Sequence, residues 1–394
     1  MRKGEMKLKL NSSARNRLIL EILVTVAIVL MVLFPVKGKE YRRYATDTLH
    51  YVRAKVVEVV SQELEESSLG TGQQLGKQCL LVRLPDGTEV ELNNYLTETH
   101  NILAAEGQTV IVCIDAPENA EAYYTVYNYD RIPALIGIVL VFILLLVAVG
   151  KRRGLDAFLA ILFSLTFILC VTMPVLYNGG SSVLIGLVTV LLSTGVTLML
   201  MHGPTKQCLL GIVTTLLGEL AACVLFAVFS RWFHLTGFQT DSAEGLLLIA
   251  QNTGLDIRML LAAGMMISSL GAVMDVAVSI LGALREVAQA SGKPQRAELF
   301  KSGIRLGRDL IGTMSNTLIF AFTGGALATM LVFYSYGVQP QQLLNSDYLT
   351  VEIAQGLCST AAVILTVPFA SSMGAMFYGQ EKKRSRKKSR AKAR

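Results

Sequence analysis

The sequence predicts a polytopic α-helical membrane protein of about eight transmembrane helices, with one small all-β domain between the first and second. Three observations carry this reading. Of 394 residues, 52% are hydrophobic and only 16% charged, with a mean hydropathy of +0.50, a balance that excludes an ordinary soluble chain. Eight apolar runs are long enough to cross a bilayer as helices. Between residues 38 and 131 the composition changes to short stretches of period-two alternation, the signature of half-buried strands.

The basic segment 1–17 precedes an apolar run at 18–36. That run is too long for a signal-peptide core and lacks a small-residue cleavage site, so it reads as an uncleaved first span with a cytoplasmic N-terminus. Glu21 lies within about one turn of its inner edge, where water is reachable, and carries little functional weight.

In the domain at 38–131, strands are expected at 52–60, 78–84, 88–92, 109–114 and 123–129, with Pro85-Asp86-Gly87 as a hairpin turn. Five short strands suggest an OB-like barrel, a sandwich remaining the alternative. Cys79 and Cys113 fall on predicted strands outside the cell, where a disulfide is allowed but not demanded.

Seven further spans at 132–149, 155–173, 183–201, 208–229, 259–284, 310–333 and 351–373 make a seven-helix domain over 132–377. Most of the 36 Lys and Arg then fall in segments on one side, which places both termini in the cytoplasm and the β domain outside. Asp241-Ser242-Ala243-Glu244 resembles a capping box opening a short surface helix at 245–250. Gly292 and Pro294 stop one helix and start another, expected over 295–302 before Gly303 and the next span. The tail from 378 to 394 is polybasic and suits anionic lipid head groups. The net charge of +7 follows from topology and gives no reason to invoke nucleic acid.

Polar residues recur inside three spans. Gly264, Ser268, Gly271, Asp275, Ser279 and Gly282 follow at helical spacing and form one small, polar stripe. Gly211, Thr215, Glu219 and Ala222 share a face, with Glu219 about 16 Å from the inner end of its span at helical rise. Arg305, Asp309, Gly312, Asn316 and Thr323 form a third stripe, in which Asn316 is expected near the Asp275 level and Arg305, Arg308 and Asp309 at the inner mouth. An intramembrane carboxylate costs roughly 2.5 to 3.5 kcal/mol on insertion scales, a reason to expect function. Small residues at this spacing also serve simple helix packing, and the acids also suit an interhelical hydrogen-bond network. Either use is compatible with a homo- or hetero-oligomer in the bilayer.

Moving a proton or cation through a bilayer requires oxygen ligands that replace water and a carboxylate that takes and releases charge. Glu219 and Asp275 are the candidate acceptors, with Thr215, Ser268, Ser279, Ser315 and Asn316 as neutral ligands and Arg308 and Asp309, with Arg305, as an inner gate. Enzyme chemistry is not expected. The sequence has no P-loop, no GxSxG turn and no CxxC pair, and the four histidines are dispersed. Asp275 and Asp309 lack the motifs of intramembrane aspartyl proteases. No cofactor or metal is expected.

The stretches LeuGlyAlaValMetAspValAlaValSerIle (270–280) and GlyArgAspLeuIleGlyThrMetSerAsnThrLeu (307–318), with Glu352-Ile353 before a span ended by Pro368, resemble the YibE/F family. The resemblance extends over the first span, the β domain and the multi-span region. It implies a multi-pass protein of a bacterial plasma membrane, often noted as a transporter candidate, and it brings no catalytic or binding residues. The leading functional expectation is a secondary transporter or ion- or proton-coupled permease of unknown substrate. The alternative is a non-transporting scaffold or sensor whose external domain binds an envelope component or a protein.

Overall fold

A computed structural model describes residues 2–38, 48–117, 120–237, 243–292 and 294–380. The proposed cap at Asp241 and Ser242, together with Lys293 and the basic run 381–394, lies outside the described residues. The chain divides into two compact units, Glu40–Leu145 and Met1–Lys39 with Leu146–Arg394.

The smaller unit holds five strands: β1 (Leu49–Glu66), β2 (Gln74–Arg83), β3 (Glu89–Leu96), β4 (Thr109–Asp115) and β5 (Tyr123–Tyr129). They form one antiparallel sheet in the order β3-β2-β1-β4-β5. β1 is shared: residues 49–55 pair with β4 and residues 55–66 with β2. Bulges at Val56/Glu58 and Val59/Ser61 bend it between the two. The sheet therefore curls into a half-barrel, and its outer strands β3 and β5 approach each other without sharing a ladder. Alternate residues Ala54, Val56, Leu80, Val82, Leu92, Val110, Val112 and Val126 fill the concave side.

Two buried amides close one end of this core. Asn94 Nδ2 donates to Gln78 Oε1 (3.2 Å) and to the Ile102 carbonyl (2.7 Å), while Gln78 exchanges hydrogen bonds with the Ala104 backbone at 3.2 and 3.0 Å. The expected turn is present, with Gly87 at φ 88° and Asp86 Oδ1 accepting from Thr88 N at 2.9 Å. Those bonds from Thr88 hold the Asp86 carboxyl below its usual range.

A Cys79–Cys113 disulfide does not form: both thiols are free. Cys79 on β2 sits opposite Ser61 and Cys113 on β4 opposite Tyr51, at different ends of the bent β1. The Cys79 thiol instead donates to Glu91 Oε1 at 2.9 Å, a bond that, with burial, pushes its pKa up.

Among the described residues, eight helices are long and apolar enough to cross a membrane. These are α1 (Arg2–Leu33), α2 (Ile132–Gly150), the run α3 (Arg152–Phe167), a π-helical turn (Ile168–Thr172) and α4 (Met173–Tyr177), then α5 (Ser182–His202), α6 (Lys206–Trp232), α8 (Ile257–Ala290), α9 (Arg296–Ser335) and α11 (Asp347–Tyr378). Two short helices, α7 (Ala243–Thr253) and α10 (Pro340–Leu344), lie in connections.

Within the larger unit, α11 packs against α6, α8 and α9, and α5 adds to α6 and α8. Glycines let these backbones approach. Gly218 of α6 faces Thr366 of α11 and Val273 of α8. Gly303 and Gly307 of α9 face Ser371 and Val367 of α11, and Gly374 of α11 faces Leu284 of α8. Elsewhere α1 and α3 are joined by charges: Arg17 pairs with the buried Asp156, and Arg152 bonds Glu21 at 3.0 Å. Glu21, given little weight from sequence, is thus a structural link, and Asp156 is a buried acid that sequence reasoning passed over.

Three expected boundaries are corrected. Gly303 does not separate a short helix from the seventh span, because α9 runs unbroken for 40 residues and uses Gly303 as a packing surface. Pro294 precedes this helix instead of entering it; Gln295 is the N-cap, in a capping box with Glu298. Pro368 does not end its span, since α11 continues to Tyr378, as membrane helices packed among neighbours allow.

Substituting Asn94 by Ala leaves the buried Gln78 and the Ile102 carbonyl short of partners, a loss of about 1–3 kcal/mol; limited proteolysis of the full chain should then cleave residues 97–108 faster than in wild type. Gly307→Val should lower the thermal midpoint of the detergent-solubilised protein, because its side chain meets the methyl groups of Val367. Gly324→Ala, with open space at its Cβ position, should not.

Candidate functional site

Helix α6 starts at an N-cap, Thr205, whose hydroxyl accepts from Cys208 N at 3.2 Å. It then runs between α5, α8 and α11, presenting Gly211, Thr215, Gly218, Glu219 and Ala222 inward. Glu219 is 0% exposed. Its hydrogen-bond partner is Ser269 of α8, whose Oγ lies 3.0 Å from each carboxylate oxygen and 2.9 Å from the Met265 carbonyl. Among the described residues no Lys, Arg or His forms an ion pair with Glu219.

A serine hydroxyl has one hydrogen, yet this one faces the carboxyl oxygens and a backbone carbonyl together. The set is satisfied when Glu219 carries a proton: the acid donates to Ser269 Oγ, and Ser269 donates to Met265 O. Removing that proton leaves a buried charge whose hydrogen-bond donor is contested by a carbonyl. Such a group takes and gives up charge only when its surroundings change, the property a coupling group needs.

Hydroxyls without a protein partner occupy the same packed interior. Thr214 and Thr215 of α6, Ser193 and Thr194 of α5 and Ser359 and Ser371 of α11 are all buried, with hydroxyls that have no partner among the described residues. Ser193 and Thr194 also line a groove of about 400 Å³ between α3, α5 and α8, whose α3 wall includes Ser164, Leu165 and Ile168 at the start of the π-helical turn. Polar atoms of this kind accept water or solute.

The expected ligands do not converge on one point. Ser269, not singled out from sequence, is the residue that meets Glu219. Its neighbour Ser268 is exposed and donates to its own Met265 carbonyl at 2.8 Å. Asp275 and Ser279 are exposed with Gly264 and Gly271 on the outward side of α8, about 120° around the helix from Ser269. The two carboxylates are nearly level, since Gly218 faces Val273, but the body of α8 separates them. Asp275 has no hydrogen bond or ion pair among the described residues. Ser315 is buried at its hydroxyl and unbonded.

The third stripe is also displaced from expectation. Gly307 faces Val367, next to the Thr366 that faces Gly218, so Arg308 and Asp309 lie about level with Asp275 and Glu219 and not at the inner mouth. Asn316 lies about 13 Å further along α9 at helical rise. The reason is that α9 begins at Arg296 and docks through Gly303 and Gly307, which lifts its charged turn into the packed layer. Arg305, Arg308, Asp309 and Asn316 are all exposed, and no ion pair joins Arg308 to Asp309. Residues adjacent in a helix do not face each other.

Removing the Ser269 hydroxyl in Ser269→Ala should destabilise the solubilised protein by about 1–3 kcal/mol, since a buried carboxyl loses its partner. Ser269→Thr should restore most of the loss in the same thermal-unfolding assay.

The family model described as YibE/F-like protein matches residues 138–380. That match includes Glu219, Asp275 and the whole of α9; the β-sheet domain lies before it. No curated protein and no solved structure matches the chain. Since the matched segment covers more than half of the sequence and carries seven of its eight membrane-length helices, this integral membrane protein belongs to the YibE/F family.

Proposed function

We propose that the protein is a secondary transporter or ion- or proton-coupled permease, with Glu219 as its coupling group. The observation that supports this reading is a fully buried carboxyl, held by one serine hydroxyl at the junction of α6, α8 and α11, with no cationic partner among the described residues. A purely structural acid at such depth is usually paired with a base or used in a network that satisfies it. Here Thr215, one turn before Glu219 on the same face of α6, has a buried hydroxyl with no partner among the described residues and adds a neutral oxygen ligand. Neither an enzymatic activity nor a cofactor is part of this reading.

The charge pattern favours cytoplasmic termini and an external β domain, with the basic tail on anionic lipid, and the YibE/F resemblance favours the plasma membrane of a bacterium. Strand order and the near approach of β3 to β5 favour an OB-like half-barrel. A scaffold or sensor role has its own support in this domain. Tyr51 and Tyr127 form an edge-on pair on the outer face, and a cleft of about 340 Å³ lined by Asn93, Tyr95, His100, Thr125 and Tyr127 lies at the β3–β5 gap. Deleting residues 40–130 separates the readings: a permease keeps flux, whereas a sensor loses its phenotype and partners.

The deciding measurement is ion flux into sealed proteoliposomes under imposed proton, sodium and potassium gradients. Wild type should conduct, Glu219→Gln should abolish flux at matched reconstitution and thermal stability, and Ser269→Ala should slow it about fivefold, as loss of one hydrogen bond of about 1 kcal/mol implies. Wild-type flux that survives Glu219→Gln would remove Glu219 from the coupling role. No wild-type flux under any gradient would put the scaffold or sensor reading first.

A further inference from the structure

The outward sides of α8 and α9 carry an arrangement that lipid cannot accommodate. Asp275 lies more than about 20 Å from either end of α8 at helical rise, and it is exposed and has no partner among the described residues. On the neighbouring α9, Arg305, Arg308 and Asp309 are also exposed and without a partner among the described residues, and the glycine contacts with α11 put Arg308 level with Asp275. Charged side chains at membrane depth face a protein partner or water, not acyl chains.

We infer that the outward faces of α8 and α9 form the interface of a two-fold homodimer, in which Asp275 of one copy meets Arg308 of the other. Two features select a second copy. The face holds two arginines and two aspartates and is therefore neutral and complementary to itself, as an isologous interface requires. A two-fold axis along the membrane normal keeps every residue at its own depth, so Asp275 can meet only groups at its level, and Arg308 is at that level. The small residues Ser268 and Ser279 on α8 and Gly312 on α9, exposed beside the charges, let two such faces approach closely. This inference rests on the membrane fold alone and not on the transport reading.

The test uses the full-length protein in its native membrane. Ser268→Cys, Ser279→Cys and Gly312→Cys, introduced singly, should give oxidative cross-linked dimers, while Val224→Cys, exposed on α6, should not. Asp275→Arg and Arg308→Asp should each cause loss of the wild-type dimer in native nanodiscs, and the double exchange Asp275→Arg with Arg308→Asp should restore it. Where a charge reversal prevents insertion, Asp275→Asn and the cysteine series carry the test. A wild-type monomer in native nanodiscs would overturn the inference. So would cross-links at Val224→Cys in place of the α8 and α9 positions, a different protein captured on this face, or a correctly inserted double exchange that stays monomeric.

Discussion

Close approach of α11 to three other helices is the constraint on which the helical unit depends. Lipid supplies no hydrophobic drive between membrane helices, so their association relies on van der Waals contact and on hydrogen bonds. Gly218, Gly303, Gly307 and Gly374 remove the side chains that would hold α6, α8 and α9 away from α11. The same contacts fix the register of every polar residue. Shifting α9 by one turn along α11 would move Arg308 away from the level of Asp275.

That register separates two kinds of polar group. Glu219 lies inside the packed layer, where Ser269 is its partner and unbonded hydroxyls of α5 and α6 share the interior. Asp275 and the charged turn of α9 lie at a similar depth but on the outside. An inward acid with no base beside it is costly to charge. Outward charges must find a neighbour. The charged link between α1 and α3, with Asp156 buried against Arg17, shows a third outcome, in which opposite charges satisfy each other within the chain.

Much of the architecture was legible in the residues. Period-two alternation located all five strands, because one face of each is buried and the other solvated, and the apolar runs located all eight spans, because the bilayer sets their length. Helix ends inside the larger unit were less legible. Gly303 and Pro368 read locally as breaks, but packing neighbours hold the helix together through both. Cys79 and Cys113 both read as strand residues. Only the tertiary fold shows that they sit on different strands, β2 and β4, and that both thiols are free.

The sequence by itself determined the membrane class, the strand and helix order, and the placement of Glu219 and Asp275 well inside their helices, since these follow from hydropathy and spacing along one segment. Tertiary structure alone decided which way each polar stripe faces. Spacing puts Gly264, Ser268, Asp275 and Ser279 on one side of α8, but it does not say whether that side meets α6 or the surroundings, nor that Ser269, one residue on, is the partner of Glu219. Those facts depend on how α8 is rotated against α6 and α11. That rotation is set by glycine contacts between segments at least 55 residues apart in sequence.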